Sequence, residues 1–178
     1  TVLKTNNVDH HRTADFPAFA AALRGKPSAT GSMADVFIAP AILLIGNDPT
    51  EQHPLLAWQI RNNVRLHRAK LYVVNRNSIK LRRQATIFAQ VSQENGESGF
   101  VNFLASSGPA PDDLGVSGTD AELLGKLRDA VRAEQNLVVV FGSEIQGSSI
   151  EHLIAALPQA KFVCLGDYSN SRGASDMG

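Results

Sequence analysis

Four short apolar runs set the terms for this chain: Ala41 to Ile45 (AILLI), Leu71 to Val74 (LYVV), Leu137 to Phe141 (LVVVF) and Lys161 to Leu165 (KFVCL). Each is continuous rather than alternating, and each stops at a turn residue, Gly46, Asn75, Gly142 or Gly166. A strand with polar residues on one face would alternate, so continuous runs of this length predict strands buried on both faces, as in a parallel sheet. Parallel neighbours need crossovers, and the segments between the runs have helical spacing. Leu56, Ile60 and Val64 recur at i, i+4 and i+8 behind Pro54, a residue suited to a first helical turn. Asp48-Pro49 and Glu51 fit a separate short turn before it.

The remaining segments fill in the same plan. Asp15 predicts an N-cap for a helix carrying Phe16, Phe19, Ala20 and Leu23 on one face, ended by Gly25 and Pro27. Met33 to Ala39 predicts one helical turn, and Ala85 to Val91 a weaker third strand. Thr119-Asp120-Ala121-Glu122 reads as a capping box ahead of a stripe of Leu123, Leu124, Leu127 and Val131. Ser148 with Glu151 reads as a second box, ahead of Ile150, Leu153, Ile154 and Leu157. The expected architecture is α/β, a Rossmann-like three-layer domain with a mostly parallel sheet in strand order 3-2-1-4-5. Residues 92–118, rich in Gly, Ser, Pro and acids, are expected as an irregular surface insertion, with Phe100 to Leu104 able to form a short helix and contact with a partner as the alternative role.

The chain has 178 residues, which suits one domain. Seventeen basic residues balance seventeen acidic ones, so net charge selects no partner. One cysteine, Cys164, excludes an internal disulfide and an all-cysteine zinc or iron–sulfur site within the segment, and its apolar run predicts a core position. No apolar run approaches the ~20 residues that a membrane helix needs. No leader of basic-then-apolar type opens the chain. A chain starting at Thr1 and stopping in Asp176-Met177-Gly178 is expected to be one domain, 1–178, excised from a longer polypeptide.

In such a sheet, ligands bind beyond the carboxyl ends of the strands. Gly46-Asn47-Asp48-Pro49 lies there with one glycine where a dinucleotide fingerprint needs three. Asn75 ends the second strand, where an acid often grips a ribose, and is equally an ordinary turn residue. Gly142 to Ser149 has the two-glycine spacing of a phosphate loop, but Ser148 stands in place of its lysine and Glu144 repels phosphate. Asp9, His10, His11 and Asp15 lack the spacing of a metal site, and His53 before Pro54 reads as a helix-start residue. No catalytic residue and no metal ligand is therefore assigned.

One charge feature stands out. Arg61, Arg65, Arg68, Lys70, Arg76, Lys80, Arg82 and Arg83 fall in one stretch, and no Asp or Glu occurs from Gln52 to Gln93. A solvated basic face, an acidic neighbouring surface and a bound phosphate group all fit; nucleic acid does not, because no aromatic platform interleaves the charges.

Asn6-Asn7-Val8-Asp9-His10, IGNDPTEQHPLLAWQIR, KLYVVNR and the terminal NSRGASDMG occur in an order that resembles the molybdopterin oxidoreductases. DHHRTAD, SMAD and NSRGASDMG bring the resemblance nearest to the C-terminal region of the G subunit of respiratory NADH:quinone oxidoreductase (complex I). In catalytic members of the family, this region holds part of a guanine-dinucleotide molybdenum cofactor, and a Cys or selenocysteine after the Asn-Asn motif binds the metal. Here that stretch is Thr13-Ala14-Asp15, without a sulfur ligand. The resemblance implies a catalytically silent domain with no cofactor of its own, and iron–sulfur clusters elsewhere in the full chain. Asn47, Asn75, Gly142 and Asp167 are the positions matching a vestigial cofactor site. The implied partners are other domains of the same chain and neighbouring subunits of the peripheral arm. The implied location is the cytoplasmic side of the bacterial inner membrane, without insertion into it. The alternative within the family is the cofactor-binding domain of a formate dehydrogenase-like enzyme.

Overall fold

A computed structural model describes residues 14–92, 96–110, 114–115, 119–168 and 171–176. Five parallel strands form the sheet: β1 (Ala41–Ile45), β2 (Lys70–Asn75), β3 (Ile87–Gln90), β4 (Leu137–Phe141) and β5 (Lys161–Cys164). Their order is β3-β2-β1-β4-β5. β1 sits at the centre, with Leu43 paired to Tyr72 of β2 on one side and Val139 of β4 on the other. The expected architecture and strand order are those observed, and the sheet is parallel throughout. β3 and β5 are shorter than the runs that predicted them.

Because side chains alternate across a strand, each continuous apolar run feeds two cores. Ala41, Leu43, Ile45, Val139 and Phe141 face one layer, against α5 (Gly96–Ala105), α6 (Thr119–Ala133) and α7 (Ser148–Ala156). Phe19 of α1 (Phe16–Ala22) meets Phe141 edge-on in this layer, at 5.7 Å between ring centroids. Ile42, Leu44, Val138 and Val140 face the other layer, with Val36 of α2 (Met33–Ile38) and Leu56 and Ile60 of α4 (Pro54–Asn62). The short turn before α4 is real: α3 (Pro49–Gln52) is capped by Asp48, whose Oδ1 accepts from Thr50 N. Cys164 is half-buried and packs against the first core, which pushes its thiol up to about 12 through burial and the nearby Asp15 and Glu144 carboxylates.

Two sequence expectations are corrected. Within the stretch expected as an irregular surface insertion, residues 96–105 form α5, and Phe100, Val101, Phe103 and Leu104 are buried in the first core. The short helix expected at Phe100 to Leu104 is the C-terminal half of α5; the turn-rich composition on either side disguised its burial. The second capping box does not form. The cap of α7 is Gly147, at φ +55°, a conformation that a side chain at this position would strain. Ser148 is already the first helical residue, so its hydroxyl does not act as the cap.

Candidate functional site at the strand ends

The strand order reverses between β1 and β4, so the loops after these two strands flank the crevice where such folds bind ligands. After β1 the chain turns at Gly46, with φ +77°. Asn47 follows, 1% exposed, and its Nδ2 donates to Gln52 Oε1 at 2.5 Å. Asn75, at the end of β2, is equally buried. Its Nδ2 donates to the Gly46 and Asn47 carbonyls, while its Oδ1 accepts from Asn77 N at 2.8 Å. Rather than facing outward to a sugar, this amide ties the β1 loop to the β2 loop.

From the β4 side comes Glu144. A Cβ placed on Gly46 lies 2.6 Å from Glu144 Cγ and 2.9 Å from its Cδ, so the Glu144 side chain occupies the space that Gly46 leaves open. Gly142 lies alongside: its open face points to Glu144 Oε2 at 3.1 Å, Asn47 Nδ2 at 3.2 Å and the Leu165 carbonyl at 3.6 Å, measured from an ideal Cβ position. The structure thus brings Asn47, Asn75 and Gly142 together, and Asp167, following β5, lies within electrostatic reach of Glu144.

The electrostatics of this edge are acidic. Burial raises the Glu144 carboxyl above its ordinary range; its own backbone amide opposes the rise, and the Glu97 and Asp167 charges add to it. Glu97, on the first turn of α5, is 1% exposed and accepts from both the backbone N and the Nε of Arg76 at 3.0 Å. His53 has its pKa lowered by burial, against the pull of Asp167, which leaves the neutral ring favoured. It is the N-cap of α4, as its position before Pro54 predicted. Among the described residues, no group of three or more His, Cys, Asp or Glu is placed to hold a metal ion. Asp9, His10 and His11 lie outside them.

Asp15 completes the arrangement. Its Oδ1 caps α1 by accepting from Ala18 N at 3.1 Å, as predicted, and its Oδ2 accepts from Gly147 N at 3.0 Å. The amide at the start of α7, which a phosphate would seek, already holds a carboxylate of the same chain. Sequence reasoning missed this second role, and it missed Glu97. Both are single acidic residues whose partners are distant along the chain.

A dinucleotide would bring a pyrophosphate to these loops, where it needs close backbone approach and free amide donors. Glu144 fills the approach at Gly46, Asp15 takes the Gly147 amide, and Asn75 spends its own amide on the neighbouring loop. The residues present do not fit an anionic dinucleotide.

Comparison with known proteins agrees on the fold and is partial in sequence. No family model matches the chain. F420-dependent formate dehydrogenase 1 subunit alpha of Methanococcus maripaludis is 34% identical over 94 residues, which are 51% of this chain and 14% of that protein. F420-dependent formate dehydrogenase subunit alpha of Methanocaldococcus jannaschii is 32% identical over 92 residues, 50% of this chain and 14% of that protein. This chain therefore spans only a small part of the curated relatives it matches. In the crystal structure of the formyltransferase/hydrolase complex of Methylorubrum extorquens with methylofuran, 46% of one chain superposes on 91% of this one, with a TM-score of 0.59 and 21% identity, a likeness of fold. Over about half its length the chain is thus similar in sequence to formate dehydrogenase subunits, and the structural likeness is one of fold alone.

Proposed function

We propose that this chain is a structural, catalytically silent domain of the molybdopterin-oxidoreductase type, serving in the G subunit of NADH:quinone oxidoreductase. In that assembly electrons pass from NADH to quinone through flavin and iron–sulfur clusters housed elsewhere. The domain's own work is packing: against other domains of its chain and against neighbouring subunits of the peripheral arm, on the cytoplasmic side of the inner membrane. No helix among the described residues is long and apolar enough to cross a membrane. The observation that supports the reading is a pair of carboxylates at the strand-end loops, Glu144 against Gly46 and Asp15 on the Gly147 amide, which disfavour an anionic cofactor there. Of the four positions that match the family's cofactor site, Asn47 and Asn75 spend their amides on Gln52 and on the Gly46 and Asn47 carbonyls, which supports the reading.

A second reading, favoured by the formate dehydrogenase relatives, makes this the cofactor-holding domain of a molybdopterin-dependent dehydrogenase. The two part in one experiment. The full-length protein is purified with its native partners, and the preparation is assayed for NADH:quinone and for formate oxidoreduction. Recovery with flavin- and iron–sulfur-bearing subunits that oxidise NADH supports the first reading. Formate oxidation that is lost with molybdenum or tungsten starvation overturns it in favour of the second.

A further inference from the structure

The basic stretch does not spread evenly over the surface. The 3-10 turn Lys80–Gln84 packs beside α4, and between them lies a cleft of about 540 Å³ lined by Arg61, Ser78, Lys80, Arg82, Arg83 and Gln84. Four of these carry positive charge. Two other cations of the acid-free stretch find anions elsewhere in the chain: Lys70 pairs with Glu134 at 2.8 Å and Arg76 with Glu97 at 3.0 Å. Arg61, Lys80, Arg82 and Arg83 make no salt bridge with any described residue. Their sequence neighbours supply no acid to neutralise them.

We infer that this cleft binds an anion with two linked phosphate groups: inorganic pyrophosphate or the diphosphate of a nucleotide. Four like charges around one concavity repel one another, and an anion among them relieves that repulsion. A single phosphate, with a charge of about −2, would leave the set half-neutralised, whereas a diphosphate comes close to balancing it. The volume lies within the range of roughly 300–1,000 Å³ usual for small-molecule sites. Arg82 is already oriented, its guanidinium 5.0 Å from the centroid of the Phe88 ring, and arginine's planar fork matches phosphate oxygens in pairs. Ser78 adds a hydroxyl. Gln84 lines the cleft as well, and its Nε2 is a further donor of the kind that phosphate oxygens accept. The cleft lies on the outer, α4 side of the sheet, apart from the strand-end loops that Glu144 and Asp15 fill. The inference is accordingly independent of the proposed function.

Isothermal titration calorimetry on the full-length protein at low salt tests it, with inorganic phosphate, pyrophosphate and a nucleoside diphosphate as probes. Saturable one-to-one binding of pyrophosphate, tighter than phosphate, is expected, with a fall in affinity as salt rises. Tighter binding of the nucleoside diphosphate than of pyrophosphate identifies a nucleotide as the ligand; equal binding identifies the diphosphate alone. R82Q/R83Q should weaken pyrophosphate at least about tenfold, through lost charge-assisted hydrogen bonds. R24Q/K26Q removes the same charge elsewhere on the surface and should leave affinity within about twofold. Should R82Q/R83Q fail to fold by circular dichroism, R61Q/K80Q takes its place. Absence of pyrophosphate binding overturns the inference, as does an equal loss in both double variants. Binding of an acidic peptide or of single-stranded nucleic acid in preference to pyrophosphate also overturns it, showing an extended contact face rather than a phosphate site.

Discussion

Asp15 reaches across 132 residues of sequence to accept the backbone amide of Gly147 at 3.0 Å, with the same carboxylate capping α1 through Ala18. One side chain thereby fixes the first helix of the fold to the loop that opens α7. It does so in the stretch Thr13-Ala14-Asp15, where catalytic molybdopterin oxidoreductases carry a sulfur ligand according to the resemblance, so the position has a structural task of its own. Loss of an N-cap acceptor alone destabilises by about 1 kcal/mol, and the Gly147 amide adds a second lost bond. Asp15→Ala should therefore lower stability by about 2 kcal/mol in urea unfolding. Asp15→Asn, which keeps one acceptor, should lose less.

Glu144 makes stability depend on pH in an unusual direction. Burial raises its folded-state pKa above the ordinary value of 4.5, with help from Glu97 and Asp167. Below about 4.5 the carboxyl is neutral in both folded and unfolded chains, and its contribution is fully present. As pH rises through the raised folded pKa, the native state must hold a buried charge, and stability falls. Glu144→Gln, which does not ionise, should melt a few degrees higher than the parent at about pH 7.5. The difference should vanish near about pH 4.5, as read from melting curves across that range.

Asp35 acts in the opposite sense. Hydrogen bonds from Lys161, at 2.5 Å, and from Ser32 lower its carboxyl to about 2 from 3.8. Its contribution is present above about pH 4 and lost as pH falls towards about 2. Asp35→Asn should flatten this acid limb of the stability profile and leave the Glu144 limb intact.

The Arg76–Glu97 pair joins the end of β2 to α5. Removing the arginine side chain leaves a carboxylate that is 1% exposed without its charged partner, held by the Arg76 backbone amide. The arginine is itself one-third exposed, so the loss stays below that of a fully buried pair. Arg76→Ala should cost about 2 kcal/mol, and Arg76→Ala/Glu97→Gln should recover part of it. A double-mutant cycle of chemical unfolding reads the coupling.

The sheet was legible because the runs at Ala41 and Leu137 are continuous, a pattern that permits little except burial on both faces. Helix α5 was legible only in part: a short helix was expected at Phe100 to Leu104, but its first turn and its burial in the core were not. Gly96, Gly99 and the flanking Ser-Gly-Pro residues read as surface, and the burial of the Phe100 to Leu104 stripe depends on a core contributed by distant segments. At the candidate site, Asn47, Asn75 and Gly142 could be placed at strand ends by topology alone. That Asn75 would donate to the Gly46 and Asn47 carbonyls is a fact of three-dimensional proximity, as is the entry of Glu144 into the space above Gly46. Sequence identified Glu144 as hostile to phosphate; only the fold brings it to the other loop.

If the chain's own carboxylates fill the places a cofactor would need, the full-length protein should carry no such cofactor here. The most direct test is its metal and pterin content, after native purification from cells supplied with molybdate and tungstate. Elemental analysis and fluorescence of the oxidised pterin released from the protein give both quantities per chain. Neither metal nor pterin above trace level is expected. One molybdenum or tungsten with matching pterin per chain, lost on substitution at Asn47 or Gly142 in a variant that still folds, would contradict a silent, self-filled site.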